Sequence, residues 1–271
     1  MTDETAALTP SDRPLAAVTG ASRGIGLELA RELARRGYDL IVCAEDAELD
    51  GAAVRVEAEG ATVRRVRTDL RQASGVEEVY AAIRSDGRPL EVIALNAGVG
   101  HGGPFLENDL EDELAIIELN VISTVRLAKL AVRDMVANDT GRVLFTSSIA
   151  SEMPGPFQAI YNASKSFVQS FAEALQNELK DSAVTVTSLM PGPTDTEFFE
   201  RGDLLDTKMG QGEKDDAALV ARQGIDALLA GEPRVTGGGI KTRIGDLASK
   251  VTPDRVKASM HRAMTKPGSG K

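Results

Sequence analysis

Tyr161 and Lys165 stand four residues apart in the stretch YNASK. On a helix that spacing places two side chains on one face. A tyrosine phenol ordinarily ionises at about pH 10, and a neighbouring cation favours the phenolate. The pair is therefore either a candidate acid/base or a solvated helix face. Ser148 ends the apolar run GRVLFTSS, where a serine taken alone reads as a helix cap or turn residue. Ser147 is the alternative hydroxyl, but adjacent side chains on a strand point to opposite faces. A third group is the turn TGASRGIG, Thr19 to Gly26. Gly20, Gly24 and Gly26 allow a tight turn and a close approach to a pyrophosphate, and the helix that follows offers free N–H groups and its positive end.

Such groups need a scaffold. Short apolar runs alternate with longer amphipathic ones. LAAVTG, YDLIVCA, ATVRRVRTDL, EVIALNAG, GRVLFTSS and AVTVTSLMPG read as strands. The spacing of Ile25, Leu29 and Leu33 predicts a helix before Gly37, and further helices are predicted over 47–59, 72–85, 110–136 and 158–180. Near-continuous apolar strands alternating with helices imply an α/β fold, a doubly wound parallel sheet with helices on both faces, in a single domain. After Gly192 the alternation becomes irregular. In such sheets ligands bind beyond the carboxyl ends of the strands, where the glycine turn and Ser148 fall.

Among the 271 residues, 41 are acidic and 31 basic, a net charge of −10 that argues against nucleic acid or an anionic membrane as partner. The single cysteine, Cys43, lies in an apolar run and reads as a small buried hydrophobe. Two histidines far apart in sequence, His101 and His261, give no basis for a metal site. With no signal peptide or membrane span, a cytoplasmic protein is expected. The polar residues 1–13 read as a flexible tail.

TGASRGIG, NAG at Asn96 to Gly98, YNASK and the PG of Pro191 and Gly192, in that order, make the chain resemble the classical short-chain dehydrogenases/reductases, over roughly Leu15 to Phe199. The resemblance implies a Rossmann-type domain over about 14–235, with a substrate lid near 193–215, and leaves 236–271 as an atypical C-terminal extension. It implies an NAD(P)-dependent oxidoreductase that moves a hydride between a nicotinamide and a carbonyl or secondary alcohol. Tyr161 is then the acid/base, Lys165 lowers its pKa and holds the nicotinamide ribose, and Ser148 polarises the substrate oxygen. Asn120, in ELNVIST, fits a fourth position that holds a relay water. The β-branched residues after it, Val121, Ile122, Thr124 and Val125, suggest a local helix distortion.

The same resemblance assigns the cofactor to Gly20, Ser22, Arg23, Gly24, Ile25, Gly26, Ala44, Glu45, Asp69, Leu70, Asn96, Ala97, Gly98, Tyr161, Lys165, Pro191, Gly192, Thr194 and Thr196. Ala44 replaces the aspartate of NAD-preferring relatives, and Arg23 is a basic position that NADP-preferring relatives use. NADP(H) is favoured on that count. Glu45 either faces solvent or accepts from ribose hydroxyls, which would restore NAD(H). Asp69 contacts adenine or caps the next helix. Asn96 shapes the adenosine site or ties strands together, and Thr196 touches the cofactor or only shapes a turn. Phe198, Phe199, Leu204, Leu205 and Met209 form an apolar lid or ordinary core, as do Met153, Pro154 and Phe157. The expected partner is a small apolar carbonyl or alcohol substrate, and a homo-oligomer, dimer or tetramer, is expected. The alternatives are a carrier-linked 3-oxoacyl reductase and a non-catalytic nucleotide-sensing regulator.

Overall fold

In the computed structural model, which describes residues 12–249 and 252–270, seven strands form one parallel sheet. They are β1 (Leu15–Thr19), β2 (Asp39–Ala44), β3 (Val63–Arg67), β4 (Leu90–Leu95), β5 (Gly141–Thr146), β6 (Val184–Pro191) and β7 (Arg234–Gly237). Their order across the sheet is β3-β2-β1-β4-β5-β6-β7. Alternate residues of β1 enter different cores. Ala16 and Val18 pack on one face of the sheet, Leu15 and Ala17 on the other. This is why the strands read as unbroken apolar runs.

Helices α1 (Gly24–Arg35), α2 (Glu48–Glu57) and α9 (Ala217–Ala230) cover the first face through residues such as Leu29, Leu33, Leu49 and Leu228. Helices α3 (Ala73–Asp86), α5 (Thr124–Ala137) and α6 (Ala159–Glu178) cover the second through Val79, Leu127, Met135 and Val168. Cys43 is buried there, and burial pushes its thiol up to about 12, an inert group.

The stretch read from sequence as one helix over 110–136 is α4 (Leu110–Ile117) and α5 joined by a π-helical turn, Glu118–Ser123, which holds Asn120. The distortion falls where the β-branched run begins. The chain after Gly192 is more regular than its pattern suggests. Short helices α7 (Phe198–Arg201) and α8 (Lys208–Gln211) lead to α9, which Asp216 caps by accepting from the Ala218 amide, and α9 leads into β7.

Two helices follow, α10 (Ile240–Ser249) and α11 (Asp254–Thr265). They are fastened to loops at the top of the sheet. Asp215 accepts from the Gly239 amide at 2.7 Å and the Thr242 hydroxyl at 2.6 Å. Lys257 donates to the Glu152 carbonyl at 2.7 Å, and the Gly270 amide to the Asp206 carbonyl at 2.9 Å. Of the tail expected over residues 1–13, residues 1–11 lie outside the described residues. Arg13 donates to the carbonyls of Ala34 and Gly37, both at 2.9 Å.

Candidate active site

The strand order reverses between β1 and β4, and at such a switch point the loops leaving neighbouring strands part to open a crevice. A cavity of about 430 Å³ occupies it. Every residue expected at the cofactor site lines this cavity, as do Ser148, Tyr161 and Lys165. Asn120 does not; it sits behind the wall.

The glycine turn is a cradle that side chains would fill. Gly20 and Gly24 have φ of 66° and 53°, which favour glycine. A Cβ on Gly24 would stand 2.9 Å from Thr196 Cγ2, and one on Gly26 would overlap the Gly20 carbonyl. No side chain caps the start of α1 and no acid sits in its first turn, so its N–H groups are left for an anion. Asn96 donates to the Thr19 carbonyl at 3.1 Å and accepts from Thr146 at 3.1 Å, so it ties β1, β4 and β5 while facing the cavity.

Charged groups crowd the opposite rim, beyond β2 and β3. Arg23 bonds Asp46 at 2.7 Å, lies 3.4 Å from Glu48 and contacts Glu197. Its Nε and Asp46 Oδ1 are buried with no protein partner. Glu45 pairs with Arg71 at 2.9 Å and stands 3.6 Å from Arg201. Asp69 accepts from the Arg71 amide and its Nε, both at 2.9 Å. Burial would raise the Asp69 carboxyl, but these Arg71 bonds hold it below its usual range. Gln72, not Asp69, is the residue that precedes the first turn of α3.

At the other end stand the proton-handling groups. Tyr161 and Lys165 share one face of α6, with Nζ 5.9 Å from the ring centroid. Lys165 is 6 % exposed and donates to the Thr146 carbonyl at 2.9 Å. Burial lowers its pKa to about 8. Burial pushes the Tyr161 phenol up to about 12, and the nearby Ser148 hydroxyl pulls the other way; that hydroxyl donates to the Pro191 carbonyl at 3.4 Å and accepts from the Ala150 amide at 3.1 Å. Ser147 instead bonds the Lys165 carbonyl at 3.2 Å, so the two adjacent hydroxyls do face apart. Asn120 accepts from the Val99 amide at 2.9 Å and donates to Ser164 at 3.0 Å. Gly98 lies between it and the lysine; a Cβ there would be 3.1 Å from Asn120 Oδ1 and 3.3 Å from Lys165 Nζ.

Phe198 packs on Tyr161 with ring centroids 5.1 Å apart, a contact that Gly100 leaves room for. Phe198, Phe199, Met153 and Met209 line the cavity, whereas Leu204 is fully buried and Leu205 exposed. His101 is not in the wall; its Nδ1 lies 3.8 Å from an oxygen of Asp203. Sequence reasoning missed Asp46, Gln158 and His261 as wall residues. Asp46 sits two residues beyond β2 and was within reach of a count along the strand. His261 comes from α11, a hundred residues after Tyr161, and no local pattern marks it. Among the described residues no cluster of His, Cys, Asp or Glu is placed to hold a metal, and no helix is long and apolar enough to cross a membrane.

A doubly wound parallel sheet with a glycine cradle at its switch point and a Ser, Tyr and Lys group beside it defines a dinucleotide-binding protein equipped for proton transfer. The short chain dehydrogenase family model matches residues 14–203, and the chain belongs to that family. It is 36% identical over 179 residues to the very-long-chain 3-oxoacyl-CoA reductase of Mycosarcoma maydis, covering 64% of this chain and 51% of that protein. The chain thus spans about half that relative's length. It is 32% identical over 187 residues to gluconate 5-dehydrogenase of Gluconobacter oxydans, covering 69% and 73%. Among solved structures it is similar to a short-chain dehydrogenase from Sphingobium yanoikuyae in complex with NADPH. There the TM-score is 0.77 at 28% identity, covering 88% of this chain and 93% of that one.

Proposed function

We propose that this chain is an NAD(P)-dependent oxidoreductase acting on a carbonyl or secondary alcohol, with Tyr161 as general acid/base. The observation that carries this reading is that Ser148, Tyr161 and the buried Lys165 line the same cavity as the glycine cradle. The cradle, the uncapped start of α1 and the orphaned Arg23 Nε fit a dinucleotide. When bound, the nicotinamide supplies or accepts the hydride.

The chain's own work is on the oxygen. Ser148 donates to the substrate oxygen and fixes the carbonyl against Tyr161. Held near 12, the phenol is protonated at neutral pH, so it is ready to give a proton to the oxygen of a reduced carbonyl. The Lys165 ammonium then stabilises the phenolate left behind. Asn120 holds the Val99 segment and the start of α6 together, which positions Lys165, and the relay water belongs on its backbone side. Residues 193–215 are the lid, with Phe198 and Met209 as its apolar surface.

NADP(H) is the favoured cofactor. Ala44 leaves space at the end of β2, and Arg23 offers its unpartnered Nε to a 2′-phosphate. Such a phosphate would displace Asp46 from Arg23, whereas NAD(H) would leave that pair in place and bond Asp46 or Glu45 through its ribose hydroxyls. The test is a paired fluorescence titration with NADPH and NADH, followed by turnover of simple ketones. Tighter NADPH binding is expected. Tighter NADH binding would assign the ribose to Asp46 or Glu45, and binding of neither would remove the oxidoreductase reading.

A further inference from the structure

His261 is 4 % exposed and lines the cavity from α11. Its Nδ1 lies 3.2 Å from the Pro156 carbonyl and 3.1 Å from the Thr265 hydroxyl. That hydroxyl is 2.8 Å from the Pro156 carbonyl as well. A carbonyl only accepts, so the tautomer that makes the Pro156 contact a hydrogen bond carries its proton on Nδ1. Nε2 is then a bare acceptor, and it is buried with no partner. Burial lowers the His261 pKa, which keeps the ring neutral and Nε2 free to accept at neutral pH.

The ring stands at the substrate end. Pro156 belongs to the loop that leaves β5 at Ser148 and enters α6 just before Tyr161, and Met153 and Gln158 of this loop also line the cavity. The dinucleotide's adenosine rim, at Ala44 and Asp69, lies across the sheet beyond β2 and β3. Met153, Met209 and Phe198 give the same cavity apolar wall, and Gln158, 4 % exposed, supplies an amide that can donate and accept. A buried acceptor left unpaired is costly and is ordinarily matched by a donor. His261 lines the cavity, so a donor bound there is the partner that a small shift of the ring would bring to Nε2.

We propose that His261 is a specificity-determining residue whose Nε2 accepts a hydrogen bond from a hydroxyl or amide N–H that the substrate carries beyond its reacting carbonyl. The inference rests on the oxidoreductase reading and narrows it: the substrate is a ketone or aldehyde with a second, donor-bearing polar group, not a plain hydrocarbon ketone. A site built to bond a substrate hydroxyl discriminates strongly against the analogue that lacks it.

The probes are 2-alkanones of about five to ten carbons and their ω-hydroxy counterparts. The wild-type enzyme is expected to favour the hydroxylated member of the best-fitting pair by about tenfold or more in kcat/KM. Two variants separate the acceptor from its scaffold. In His261→Asn the amide nitrogen stands where Nδ1 does and keeps the bond to Pro156, but nothing replaces Nε2. In His261→Gln the amide reaches the Nε2 position. The preference should vanish in His261→Asn and persist in part in His261→Gln, while NADPH affinity stays within about twofold. Wild type without a preference at any chain length, or His261→Asn with the full preference, overturns the assignment while leaving cofactor binding and ketone reduction in place. Wild type that binds neither NADPH nor NADH fails at the earlier step and takes the oxidoreductase reading with it.

Discussion

Tyr161 and Lys165 titrate in opposite directions from their usual values for one reason: both leave water, and each loses stabilisation of its charged form. The consequence for catalysis has a definite sign. With the phenol near 12 and the ammonium near 8, only the lysine changes charge between pH 6 and pH 10. The Lys165 charge is present below about 8 and lost above it, so carbonyl reduction should fall on the alkaline side with an apparent pKa near that value. A pH profile of kcat for ketone reduction tests this; a flat profile across that range would show that the lysine charge does not assist. Tyr161→Phe removes the proton but keeps the ring that packs on Phe198. It should lower kcat by about 10²- to 10⁴-fold with NADPH affinity unchanged, which a turnover assay beside a fluorescence titration would resolve.

At the scale of elements, the cradle depends on the distance between the turn after β1 and the first turn of α1. Gly26 faces the Gly20 carbonyl so closely that any Cβ collides with backbone, which cannot swing aside as a flexible side chain could. Gly26→Ala should therefore cost roughly 1–3 kcal/mol of stability and weaken NADPH and NADH alike, read by chemical denaturation and by titration. The π-helical turn shows how far sequence can be pushed. The β-branched residues after Asn120 announced a weak point in a helix, yet the bonds that use it, from Asn120 to Val99 and Ser164, join α4–α5 to the β4 loop and to α6. Those partners are 21 and 44 residues away in the chain, beyond any local pattern.

For the whole molecule, the C-terminal segment closes what the sheet leaves open. Lys257, Thr265 and Gly270 bond Glu152, Pro156 and Asp206, so α11 and the residues after it tie the loop before α6 to the loop between α7 and α8. Deleting residues 252–271 should raise KM for ketones by roughly tenfold, since misplaced substrate loops lose catalytic alignment. NADPH affinity should hold, because its cradle lies at β1 and β4. Kinetics of the truncated chain beside a cofactor titration would check this, and a parallel loss of cofactor binding would show that the clamp supports the whole crevice.

By itself the sequence determined the elements and the chemistry of the short motifs: strand and helix periods, the glycine turn, and a tyrosine and lysine on one helical face. These are readable because they depend on neighbours a few residues apart, where backbone geometry is fixed in advance. The tertiary structure alone decided which distant groups meet. It brought Asp46 and Glu197 to Arg23, buried Lys165 beside Tyr161, and carried His261 on a late helix to the wall of the cavity. Burial and partnership across the fold are properties of packing, and no periodicity encodes them.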